Sequence, residues 1–381
     1  MTRKGLTGNL LALLLLVLAS CTRPDVLTLF VGTYSDGFHA IEFDQADGTF
    51  VEEIAQAEMP NPSYLAVHGN TVYAVSEMPD DRASVWAWRW LGNGFELLNK
   101  QPTGIQIPGQ AGNDEFDVMP GPDRASVAFQ GEDPCYVSTD GHVLAVANYS
   151  GGTLATYRLR DDGSIAPLDS LLISGTGGPD LSRQESPHVH CAVFSPDGNH
   201  LFFSEFSADE IGRLDVVGGR VRGYCRAATL HPDYGPRHLL FDASGAHLYV
   251  IGELSGDITV FDYAAGALRE KQVIKADRMD ARGAADIHLS PDGKFLYASL
   301  RLRGDGIAVF EVGPGGVLAY AGFTATGPHP RNFNITPNGK WVLVACRDND
   351  SVEVYARDRA TGMLTPTGRS ISIERPVFVG W

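Results

Sequence analysis

The stretch "PHVHCAVFSPDG", Pro187 to Gly198, returns as "PRHLLFDASG", Pro236 to Gly245, and again as "PRNFNITPNG", Pro330 to Gly339. Each copy is a proline, a basic residue, an apolar run and a turn ending in glycine. Aligned on the turn glycines Gly69, Gly141, Gly198, Gly245, Gly293 and Gly339, the chain shows six copies, from "PSYLAVHGNTVYAVSE" to "RNFNITPNGKWVLVACR". A β-branched or aromatic run, a Ser/Pro/Asp/Gly turn and a second apolar run are the marks of a hairpin, with glycine supplying the positive φ of the turn. A variable loop and an alternating strand follow each hairpin: "SVWAWRW", "TLATYRL", "EIGRLDV", "DITVFDY", "GIAVFEV" and "SVEVYAR". A weaker fourth strand, such as "GVLAYAG", completes the unit.

Four strands repeating about every 45–50 residues is the period of propeller blades. A lone four-stranded sheet cannot bury both faces, whereas blades stacked around an axis bury each sheet against its neighbours. The chain ends supply a seventh blade: "RPVFVGW" (Arg375 to Trp381) reads as an inner strand without partners, and Leu27 to Gln45 as outer strands without an inner one. The expected fold is therefore all-β, a seven-bladed propeller with four antiparallel strands per blade. Its last blade is closed by the N- and C-terminal strands, and it spans residues 27–381. The Gly-, Pro- and Asp-rich segment Gln101 to Asp133 reads as a loop insertion after the first complete unit.

Residues 1–21 have basic Arg3 and Lys4, an apolar run from Leu10 to Leu18, and the ending "LASC". This is the layout of a lipoprotein-type signal peptide, and the run is too short for a comfortable membrane span. Cys21 is the expected lipidation site, residues 22–26 a short linker, and the expected address the cell envelope, on the periplasmic face of the outer membrane. The sequence has five cysteines and no CxxC spacing, which argues against a thiolate zinc site. Cys135, Cys191, Cys225 and Cys346 are expected to be free thiols, three of them inside strand-like runs. The formal net charge of −16 excludes a basic nucleic-acid surface. An anionic ligand would need a local basic pocket.

The repeat places such a pocket. In a hairpin the start of the first strand lies beside the end of the second. Eight residues before the turn glycines stand His190, Arg237, Ala285 and Arg331; eight after stand Phe206, Glu253, Arg301 and Arg347. All belong to one mouth of the central channel, with Arg237 almost opposite Glu253, and alternation adds His188. A ring of His and Arg around one Glu is a candidate anion or carbonyl site. Structural readings compete with it: Arg237–Glu253 as a plain ion pair, His188-x-His190 as packing residues or as a metal pair without a clear third ligand, and Asp286 and His288 as supporting residues.

The segments "GPRHLLFDASGAHLYVIGELSGDITVFDY", "AADIHLSPDGKFLYASLR" and "PHVHCAVFSPDGNHLF" resemble the lactonase family of seven-bladed propellers. That family includes bacterial propeller-type 6-phosphogluconolactonases and fungal carboxymuconate lactonizing enzymes. The resemblance runs from Leu27 to Trp381. It implies catalytic roles for His190, Arg237, Glu253 and Arg301, a lactone substrate and no cofactor or metal. His188 and Arg331, placed at the mouth by the register, are the expected substrate-binding residues, and the protein is expected to be a monomer. Arg237 and Arg301 would stabilise the oxyanion, and His190 or Glu253 would activate water. A lipid-anchored binding module, a metal-dependent sugar lactonase and a lactonizing isomerase are the competing functions, because a propeller alone does not specify activity.

Overall fold

The computed structural model describes residues 25–105, 117–119 and 130–381. The segment holding Cys21 and the signal-like run lies outside the described residues. The strands form seven sheets. Blade 1 joins Val26–Thr33, Phe38–Asp44 and Thr49–Ala57 to the C-terminal strand Pro376–Gly380. That strand pairs antiparallel with the first, Phe30 opposite Gly380 and Gly32 opposite Phe378, so both chain ends close the ring. Blades 2 to 7 follow in order, with inner strands beginning at Leu65, Pro134, Val189, Pro236, Ala284 and Pro330.

The turn glycines take the positive φ that the hairpins require, from 58° at Gly69 to 91° at Gly141. Seven hydrophobic clusters fill the seams among the described residues, each shared by two neighbouring blades. The seam between blades 7 and 1 packs Leu343, Val352 and Val354 against Leu29, Val31 and Ile41. Burying one such side chain fully is worth about 2 kcal/mol, so the seams hold the ring together. Cys135, Cys191, Cys225 and Cys346 are free thiols, and all but Cys225 are buried.

Two expectations need correction. The insertion after blade 2 is not wholly loop: Asp117–Met119 is a short strand that pairs in parallel with Ile165–Ile173, giving blade 3 a fifth strand. The inner hairpins are also not in simple register. In blade 5 Pro236 faces Gly252 but Leu239 faces Val250, so Arg237 and His238 together oppose Ile251. The same one-residue bulge occurs at Cys135, His190, Ala285–Asp286, Arg331 and Val377. Six of the seven inner strands thus kink at one level, and a bulge of this kind re-aims a side chain out of the regular alternation.

Candidate active site

At the mouth where the inner strands begin, two tiers of side chains meet. The bulges supply Cys135, His190, Arg237 and Arg331. The first residues after the neighbouring strands supply Tyr34, Glu77, Tyr149, Glu253 and Arg301. Arg237 does not stand opposite Glu253 in the ladder; the Glu253 N–H is bonded to the Gly235 carbonyl. The bulge instead swings the Arg237 side chain to it, Nε lying 3.0 Å from Glu253 Oε2.

Glu253 is held by three guanidiniums. Besides Arg237 it meets Arg301 Nη2 at 3.1 Å and Arg183 Nη2 at 2.6 Å. Burial would raise its carboxyl, but the charges of Arg301, Arg237 and Arg183 prevail and hold it at about 2. Burial pulls Arg301 down to about 9 against the support of Glu253, so it stays charged at neutral pH.

Arg237 is itself anchored from beneath. Its Nη1 donates to the Ala285 carbonyl at 2.5 Å and to His238 Nε2 at 3.0 Å. The His238 proton must then sit on Nδ1, which donates to Asp286 Oδ1 at 2.6 Å. Asp286 is buried and also accepts from His288 Nε2 at 2.9 Å and Asn332 Nδ2 at 2.6 Å. Asn332 Oδ1 in turn receives the Val379 N–H of the closing strand. Despite burial, His288 and His238 hold Asp286 well below the usual carboxylate range. Burial and then Arg237 lower His238 to about 4. An unbroken polar line thus runs across blades 5, 6, 7 and 1 to the Arg237 fork.

His190 sits beside this line, its ring 5.5 Å from that of His238 and 5.6 Å from that of Tyr149. Burial, with the charges of Arg237, His238 and Arg331, pushes it well below the ordinary histidine value, so it is neutral. Its Nδ1 is buried without a hydrogen-bond partner. His188 is set aside from the cluster: it stacks on Tyr149 at 4.2 Å and its Nδ1 meets the Tyr149 carbonyl at 2.8 Å. Arg331 lies over the Tyr34 ring at 5.2 Å. Arg347 is engaged by Asp348, and Phe206 lies beneath Arg183. No group of three or more His, Cys, Asp or Glu side chains suited to a metal occurs among the described residues.

Arg183, His238, Glu77 and Tyr34 escape the sequence reading. Arg183 lies outside the repeat, in the connection between blades 3 and 4. Such connections open onto this same mouth, so a basic residue five positions before His188 was the available signal.

A family model described as lactonase, 7-bladed beta-propeller matches residues 28–114 and 122–381. The chain belongs to this lactonase family. Among curated relatives, the 6-phosphogluconolactonase of Bacillus subtilis is 30% identical over 367 residues, covering 92% of this chain and 97% of the relative. Among solved structures, a Bacteroides uniformis protein proposed to be a 6-phosphogluconolactonase is 44% identical, with a TM-score of 0.85 over 93% of this chain and 99% of its own. The periplasmic gluconolactonase of Pseudomonas aeruginosa is 29% identical with a TM-score of 0.80, over 93% and 98%. The family match runs from the first described strand to the C-terminal strand that closes blade 1.

Proposed function

We propose that this lactonase propeller hydrolyses a sugar lactone by direct attack of water on the ring carbonyl. The observation that carries this reading is the gathering of Arg237, Arg301 and Arg183 around one buried carboxylate, beside a neutral histidine with an unpartnered ring nitrogen. Guanidinium charge fixed in a buried site opposes no reorganisation when the carbonyl oxygen becomes an alkoxide, and this makes it an efficient electrophile. Arg237 and Arg301 take that role, with the His238–Asp286 pair holding the Arg237 fork.

Of the two candidate bases, His190 is favoured. The Glu253 lone pairs are committed to three arginines, and a carboxyl held near 2 is a weak proton acceptor. His190 is neutral and its Nδ1 makes no hydrogen bond, so in the Nε2–H tautomer that nitrogen is open to accept a proton. It takes the proton of the attacking water, and the alkoxide forming beside Arg237 and Arg301 offsets the new imidazolium charge. The proton then passes to the leaving ring oxygen. His188 and Arg331 contribute to holding the substrate. Guanidinium charge, rather than a metal ion, stabilises the transition state.

The basic mouth in a protein of net charge −16 suits a lactone bearing a negative group, related to 6-phosphogluconolactone. The Leu10–Cys21 pattern and the periplasmic relative together support export, with Cys21 as a lipid anchor. The substrate is then a lactone met outside the cytosol. The test is loss of lactone over the buffer rate for 6-phosphoglucono-δ-lactone, glucono-δ-lactone and unsubstituted lactones. Turnover by the wild type and a loss of about 10²–10³ in Arg237→Ala are expected. A wild-type rate equal to buffer across the panel overturns the proposal.

A further inference from the structure

Across the mouth from Glu253 stands a second carboxylate in the equivalent position of blade 2. Glu77 directly follows the strand Thr71–Ser76, as Glu253 follows His247–Gly252. The two carboxylates are treated differently by their surroundings. Glu253 has three guanidiniums in contact. Glu77 receives one hydrogen bond on Oε1, from Tyr34 Oη at 2.9 Å, and its Oε2 is buried with no partner. Nearby Ser63 Oγ is likewise buried and unpartnered, on the loop whose Asn61 carbonyl takes the Glu77 N–H.

Two guanidiniums pack on the ring of the same Tyr34, Arg331 at 5.2 Å and Arg375 at 5.5 Å, and of these Arg331 is the more deeply buried one, whose charge acts on Glu77. Burial would lower the pKa of Arg331, but Tyr34 and Glu77 raise it, so the two charges act on each other. No carboxylate among the described residues lies within ion-pair distance of Arg331. A donor and an acceptor thus flank the same tyrosine without forming an ion pair, and a buried carboxylate oxygen left without a partner is costly.

A hydroxyl group fits this gap, because it both accepts and donates. It can accept from Arg331 and donate to Glu77 Oε2. A phosphate or carboxylate only accepts and would be repelled by Glu77; an ammonium only donates and would be repelled by Arg331. We propose that Glu77, Tyr34 and Arg331 form a hydroxyl-binding subsite, which restricts this enzyme to polyhydroxylated lactones and sends any anionic group of the substrate elsewhere in the mouth. This rests on the lactonase reading above.

The experiment has two arms. In the first, kcat/KM is measured for glucono-δ-lactone and for δ-valerolactone, which has the ring without the hydroxyls, in the wild type, Glu77→Gln and Arg331→Lys. The wild type should prefer the sugar lactone. Each variant should lower the ratio of the two by at least about tenfold, mainly through KM for the sugar lactone, since unpaired polar groups are what reject an analogue lacking a hydroxyl. Equal losses on both lactones, or an unchanged ratio, overturn the subsite. In the second arm, binding of D-gluconate and of 5-hydroxypentanoate is measured calorimetrically. If no lactone is turned over but gluconate binds and Glu77→Gln weakens it about tenfold, the subsite stands and the hydrolase reading falls. Equal gluconate binding by both proteins, or none by the wild type, overturns the subsite. Should Glu77→Gln fail to fold, Arg331→Lys carries both arms alone.

Discussion

Replacing Glu253 by Gln keeps the shape of the side chain and removes the only negative charge among the described residues that touches Arg183, Arg237 and Arg301. Two routes give the cost. The carboxyl sits at about 2 against an ordinary 4.5, and at 1.36 kcal/mol per pH unit the folded state favours the ionised form by about 3 kcal/mol. Removing one partner of a buried ion pair costs roughly 3–5 kcal/mol. The routes agree near 3–4 kcal/mol, which for a domain of this length corresponds to a Tm lower by roughly 4–5 °C. The pH dependence has a definite sign. Glu253 has a depressed folded-state pKa, so its contribution is fully present above pH 4.5 and is lost as pH falls through 2. The Tm gap between wild type and variant should be full at pH 7, and should shrink steadily from about pH 5 to pH 2. Thermal melts followed by circular dichroism across that range are the assay. Equal melting temperatures at pH 7, or a gap unchanged at pH 2.5, would refute the view that these arginines depend on Glu253 for their burial.

Four further outcomes are expected. His190→Gln should lower kcat by about 10²–10⁴ with little change in KM, which stopped-flow or pH-stat rates will show. Because His190 and His238 are both held below the ordinary histidine value, the wild-type rate should be flat from pH 6 to 8 and fall towards pH 4, where protonation of His238 adds charge beside Arg237. Asp286→Asn should lower kcat/KM at least tenfold through the loosened Arg237 fork, and the loss should be largely shared with His238→Ala, so that the double variant is far from additive; independent losses would separate Asp286 from Arg237. Cys21→Ala should move the protein from the membrane fraction to the soluble one, and unchanged partitioning would remove the lipid anchor.

The blades and their closure were legible because a repeat writes the same turn six times, and the orphan strands at Leu27–Gln45 and Pro376–Gly380 could only complete each other. Arg237, Glu253 and Arg301 were legible for the same reason, as equal distances from a turn. What the turn count could not reveal is the bulge. It inserts one residue between the last ladder pair and the next and changes which side chain faces the channel, while leaving the hydrophobic pattern beyond it intact. Hence His238, which the turn count passes over, lies under the site beside Asp286, a supporting residue in the sequence reading. Arg183 and the short strand Asp117–Met119 lie in connections outside the period, where no alignment on glycines reaches.

The recurrent bulge also separates two jobs that most strands must combine. Below it, each blade is committed to its seams, and any exchange there disturbs packing. At it, six of the seven blades release one residue from the ladder towards the channel mouth. The ring therefore works as a set of interchangeable sockets: Cys135, His190, Arg237, Arg331 and Val377 fill theirs with four different side-chain types, and Ala285 leaves its socket nearly bare, presenting a carbonyl to Arg237. New substrate preferences can arise on this scaffold by refitting a socket, with no rebuilding of the disc that carries it.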